Sequence, residues 1–170
     1  MGTGSFAYHL VLLLHLLCVV VGFGATFVAP LLAAKARQRP SAEAYAINHT
    51  FHEVSKVLAT PFIIAAGVFG AVLVPLSDEV WKFSQTWISI AFVLFFAALG
   101  ISLGLHLPNL KAMDGLQEKL ATGQATPTEG GPPAEVLELQ ARGKRAQMLG
   151  GILHLLFLLV MIDMIWKPGL

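Results

Sequence analysis

Apolar positions in this chain neither alternate nor recur as a stripe. They run in four blocks, at about 7–34, 57–76, 86–107 and 146–166, with Asp163 the only Asp, Glu, Lys or Arg inside any of them. Crossing ~30 Å of hydrocarbon at ~1.5 Å per residue takes about 20 apolar residues, so each block predicts one membrane-spanning α-helix. Prolines punctuate the ends: Pro30 near the end of the first block, Pro61 in the opening turn of the second, Pro75 at its close, and Pro108 just after the third. Proline suits a first helical turn or the chain beyond a helix and breaks an interior. Trp81, Trp87 and Trp166 fall beside predicted boundaries, where amphipathic rings favour the headgroup level.

The connections differ in charge. The first carries Lys35, Arg37, Arg39 and Lys56, and the third Lys111, Lys119, Arg142, Lys144 and Arg145; the second has only Lys82 and the tail only Lys167. Nine basic residues against two predict, by the positive-inside bias, that both termini face outward and that the first and third connections are cytoplasmic. Positions 42–56 are helix-compatible and lead into the second block. Positions 122–134 are rich in Gly, Pro and Thr, a composition that cannot bury a core. A flexible cytoplasmic loop is therefore expected over about 111–143, with short helical extensions at 116–120 and 136–139. Positions 1–8 contain no Lys or Arg, so the first block reads as a retained span rather than a secretory signal.

Composition sharpens this picture. Charged residues make up 12% of the 170, half of what a water-soluble domain carries. The net charge of +1, with its cations placed by topology, argues against a nucleic-acid partner. Cys18 is the only cysteine, which excludes an internal disulfide and a cysteine metal cluster. Because lipid gives helices no hydrophobic reason to pair, small residues should mark their contacts: Gly22, Gly24 and Ala25, then Gly67 and Gly70, the GxxxG of Gly100 and Gly104, and Gly150 with Gly151. The expected fold is all-α: an integral membrane four-helix antiparallel bundle forming a single transmembrane domain over 1–170, closed within the chain or by homodimerisation.

Candidate chemistry lies in the polar residues of the apolar blocks, which are costly there and face a bundle interior. These are His15, His106, His154 and Asp163, with His9 at the outer entrance. Helical rise places His15 about 12 Å from the outer edge and His154 about 12 Å from the inner one, within roughly 6 Å of a common level. Two imidazoles at similar depth are candidate ligands for haem b; hydrogen bonding to a neighbouring helix, quinone contact and proton handling are the alternatives. Asp163 stands four residues before Lys167, which suits an ion pair on one helical face, and its depth also suits His9 or His15. His49, His52 and Glu53 share a helical face and form a candidate metal site, against the plainer reading of surface histidines. Asn48-His49-Thr50 matches a glycosylation sequon, but its expected cytoplasmic side excludes that use. No phosphate-binding loop, nucleophile triad or paired catalytic carboxylates occur.

The run Leu14-His15-Leu16-Leu17, followed by Gly22-Phe23-Gly24 and Pro30, resembles the first span of small bacterial membrane proteins. These are the HemJ-type protoporphyrinogen oxidases, the CopD-type copper-resistance proteins and related uncharacterised predicted integral membrane proteins. Thr60-Pro61, Phe69-Gly70 and the closing Lys167-Pro168 extend the likeness. The resemblance implies a compact helical bundle in the bacterial cytoplasmic membrane, with His15 in the place of the haem-binding first-span histidine of the HemJ type. A CopD-type role would use His9, His15, Met161 and Met164. The HemJ type also has a third-span tryptophan followed four residues later by a functional lysine. Here Trp81 is followed by Gln85 and Trp87 by Ala91, and the histidine expected just after Pro30 is missing. The reading that results is a non-enzymatic membrane component, either a subunit or accessory factor of a larger complex or a protein that handles haem or metal through its histidines; the alternatives are a haem-b oxidoreductase of the HemJ type and a copper transport or resistance protein of the CopD type.

Overall fold

The computed structural model describes residues 2–126 and 131–170. Among these it is all-helical, without a strand: α1 (Phe6–Ala36), α2 (Ser41–Val57), α3 (Ala59–Leu76), α4 (Thr86–Ile101), a π-helical turn (Ser102–His106), α5 (Leu107–Ala121) and α6 (Ala134–Trp166). Four helical stretches are long and apolar enough to cross a membrane: Phe6–Ala36, Ser41–Leu76, Thr86–Ala121 and Ala134–Trp166. Each forms around an apolar run whose prolines, Pro30, Pro61 and Pro75, lie toward its ends, and within those runs the helices are apolar all round. Large side chains such as Val20, Leu31, Val93 and Phe96 are exposed, while Cys18, Ala59, Ala66 and Ala91 are buried. Such a distribution would expose far too much apolar surface in water; in lipid it is the expected one, with small residues between helices.

Contacts group the chain into two compact units, one of Met1–Val28, Val54–Ala97 and Leu156–Leu170, the other of Ala29–Glu53 and Ala98–Leu155. In the first unit α1 meets α3 at Gly22, where an added Cβ would lie 2.9 Å from the Ile63 backbone nitrogen. Gly67 of α3 lies against the Phe95 ring of α4. Phe23 of α1 stacks on Phe157 of α6 with centroids 3.8 Å apart. Tyr8, near the start of α1, and Lys167, just past the end of α6, both touch Trp81 in the connection after α3. Within this unit, therefore, neighbouring helices run antiparallel, and both chain ends sit beside the α3–α4 connection.

In the second unit α2 meets α5 through polar pairs, with Asn48 donating to Gln117 (3.1 Å) and His49 beside Asp114. Asn109 of α5 ties to α6 by donating to the Arg142 carbonyl at 3.0 Å. Positions 116–120 lie in α5 and 136–139 in α6. Helix thus reaches through 111–121 and 134–143 of the stretch read as loop, while Pro127, Thr128, Glu129 and Gly130 fall outside the described residues.

Two local expectations need correcting. Pro108 does not end the third helical stretch, which continues to Ala121. Proline removes a donor, and the π-helical turn just before it absorbs the defect: the Leu107 N–H reaches back to the Ser102 carbonyl, five residues away. Among the described residues the Gly100/Gly104 pair makes no close helix contact, since a Cβ at either position meets nothing within 4 Å. Gly22, Gly67 and Gly70 make the close approaches instead.

Candidate functional site

The polar residues of the first unit start at its chain-end side. Ser77, fully buried, donates its hydroxyl to the Val74 carbonyl (2.7 Å) and accepts the Trp81 N–H (2.8 Å). This closes α3, and the chain then turns through Asp78 and Glu79, both at positive φ. Trp81 is thereby presented inward, where its indole N–H donates to the Tyr8 hydroxyl at 3.0 Å. Trp87 meets it edge-on at 5.3 Å. The Lys167 ammonium lies over both rings, 4.2 Å from the Trp81 centroid and 5.5 Å from that of Trp87. Cation–π contacts of this kind contribute about 0.5–2 kcal/mol. Two of the three tryptophans expected at the headgroup level, Trp81 and Trp87, thus form one aromatic cluster holding the chain's last cation.

Asp163 lies deeper on α6. It is 6% exposed, and neither carboxyl oxygen has a hydrogen-bond partner. The expected ion pair with Lys167 is not made. Lys167 has φ of 45°, so the chain has left the helix and the ammonium swings onto the tryptophans. His15 is buried on α1, and its Nδ1 donates to the Ala66 carbonyl of α3 at 2.8 Å. Gly70 gives the ring its room, since a Cβ there would lie 3.2 Å from His15 Cε1. The stacked Phe23–Phe157 pair sets the register between α1 and α6. Counting eight residues outward to His15 and six to Asp163 leaves two residues, or about 3 Å, between their levels. His9 is exposed and meets Tyr8 edge-on.

His106 and His154 belong to the second unit. The π turn carries His106, whose Cε1 lies 4.0 Å from where a Cβ of Gly150 would stand. His154 Nδ1 donates to the Gly150 carbonyl at 2.8 Å. Sequence spacing gave no sign that these two histidines share a glycine. His106 Nδ1 is buried without a partner, as is the amide oxygen of Asn109, a residue that the sequence reading did not single out. Further along, His49 Nδ1 lies 3.0 Å from an Asp114 oxygen and its ring 5.1 Å from Tyr45. The acid facing His49 therefore comes from α5. Among the described residues no group of three or more His, Cys, Asp or Glu stands close enough to hold a metal ion.

No curated protein and no solved structure matches the chain. One family model does, over residues 9–168, nearly the whole sequence. Four apolar helices, buried small residues and outward-facing large ones agree with its description, and the chain belongs to the family of predicted integral membrane proteins DUF2269.

Proposed function

We propose that the protein is a non-enzymatic membrane component that exchanges a proton or a small cation at Asp163, with His15 close to it in depth. The observation that carries this is a carboxyl group enclosed in an apolar span with neither oxygen partnered. An isolated buried carboxylate costs far more than a packing role repays, and an ionisable group inside a span marks function by default. His15, anchored by Ala66, supplies a second exchangeable group among small neighbours. Infrared spectroscopy of the protein in lipid as pH is changed tests this. A carboxyl stretch that appears and disappears with pH in the difference between the native chain and Asp163→Asn is the expected result. A difference spectrum with no such band at any pH overturns the proposal.

A second reading, haem b held by His15, follows from the HemJ resemblance and has one geometric point in its favour. A carbonyl only accepts, so the neutral ring carries its proton on Nδ1 and its lone pair on Nε2, as a tethered haem ligand does. Haem bound there would supply one-electron chemistry. A Soret band in the purified protein that His15→Ala removes supports this reading, and a featureless spectrum from haem-replete cells rejects it.

A further inference from the structure

We infer that Trp81 and Trp87, braced by Tyr8, form an aromatic receptacle for an alkylammonium group, in which the chain's own Lys167 is a displaceable occupant. The inference stands apart from exchange at Asp163 and rests on the first unit alone. The two indole rings meet edge-on at 5.3 Å, and a single ammonium lies 4.2 Å from one centroid and 5.5 Å from the other. Both distances are within the ~6 Å reach of a cation–π contact, and ring faces set around one cation are how proteins take up quaternary ammonium compounds. The rings do not owe their places to Lys167. Trp81 is fixed by its backbone N–H to the Ser77 hydroxyl and by its indole N–H to the Tyr8 hydroxyl. Trp87 belongs to the first turn of α4. The receptacle is therefore built by groups other than the cation it holds.

Lys167 is the member that can leave. Its φ of 45° is a left-handed conformation, unfavourable for a residue that carries a Cβ. Pro168, Gly169 and Leu170 follow it, all exposed. Its ammonium is a compact, strongly hydrated charge that water readily takes back, whereas a methylated ammonium is less well hydrated and loses less on reaching the rings. Both indoles are only half-buried, which leaves them open to such a group. Trp81 is also one wall of a groove of about 350 Å³, lined besides by Val74, Pro75 and Phe83 and edged by Glu79 and Lys82. That groove gives room beside the rings for the rest of a ligand, apolar on one side and polar at its rim. The chemistry that fits is a methylated ammonium, borne either by a choline phospholipid headgroup or by a free quaternary ammonium ion.

Tetramethylammonium, added to the full chain in maltoside detergent and followed by saturation transfer from protein to its methyl protons, tests the assignment. A saturable signal that excess sodium chloride does not remove is expected. Lys167→Ala, which deletes the competing cation, should bind about tenfold more tightly, the worth of one favourable cation–π contact. Trp87→Leu should weaken binding by about tenfold for the same reason. Trp81→Phe, which keeps a smaller ring, covers the case in which Trp87→Leu does not fold, and should also weaken binding. Membrane discs of phosphatidylglycerol, with and without phosphatidylcholine, separate the two sources: a signal suppressed by phosphatidylcholine assigns the site to the lipid headgroup, and an unchanged signal assigns it to a free ion. Absence of saturable transfer in both the native chain and Lys167→Ala overturns the site. Equal affinity in those two chains also overturns it, as does undiminished binding in folded Trp87→Leu or in Trp81→Phe.

Discussion

Glycines that look alike along this sequence stand in different places. A Cβ on Gly22 would press on the Ile63 backbone, and one on Gly24, two residues later, would meet nothing. Gly22→Ala should therefore part α1 from α3 and cost about 1–3 kcal/mol, whereas Gly24→Ala should be neutral or slightly stabilising through helix propensity. Thermal unfolding in detergent separates the two; equal effects would remove Gly22 from the α1–α3 contact. The sequence could show that both glycines lay in an apolar block, but not which one faced a neighbour, because an all-apolar helix has no polar side from which to read its rotation. Asp163 and Lys167 make the same point for charge. Their spacing implied an ion pair only while both were taken as helical, and the positive φ of Lys167 removes that condition. The buried polar positions were legible at His15 and Asp163 because polar residues stand out in an apolar run. Their partners were not, since His15 bonds a backbone carbonyl that every residue type possesses.

At the level of elements, helix length and helix termini separate what composition reveals from what it hides. Four apolar runs of sufficient length were enough to count the spans. The helical continuation past Pro108 was not legible, because proline's missing donor is locally a stop signal and only the widened turn before it turns that signal into a passage. The start of α6 carries a small pH-dependent clasp. Glu135 accepts hydrogen bonds from the Thr126 N–H and hydroxyl. Its carboxyl is held below the usual glutamate range by its own backbone N–H first, and by Thr126 and Lys119 in smaller part. A lowered folded-state pKa means that this contact is fully present above the unfolded glutamate value, near ~4.3, and is lost as pH falls through the folded one. Protection of the Thr126 amide, taken relative to its intrinsic exchange rate, should accordingly be lost as pH falls below the ordinary glutamate range in the native chain and be lower and pH-independent in Glu135→Gln; pH-independent protection in the native chain would refute the clasp. The His49–Asp114 pair joining α2 to α5 is partly solvated, with side chains 42% and 22% exposed. A double-mutant cycle with His49→Ala and Asp114→Ala should return a coupling below about 1 kcal/mol, and a larger value would make the pair a principal tie between these helices.

For the molecule as a whole, charge placement leads to an orientation that can be measured. With Cys18→Ala as background, Lys82→Cys should react with a membrane-impermeant thiol reagent added outside intact cells, and Lys119→Cys only after the cells are opened. The reverse pattern would invert the topology that nine of eleven basic residues imply. Composition offers an orientation to test because loops report their side by charge alone, whereas the grouping of contacts into two units depends on which faces meet and left no mark in the sequence. The cluster at the chain ends has an optical consequence. Trp81 and Trp87 are held edge-on at 5.3 Å beneath an ammonium group, while Trp166 is 71% exposed. Two of the three indoles therefore form a fixed chiral pair whose excited states couple, and the third supplies a nearly constant background. Docking of the last four residues can be followed in native protein by near-ultraviolet dichroism and emission, without any attached dye.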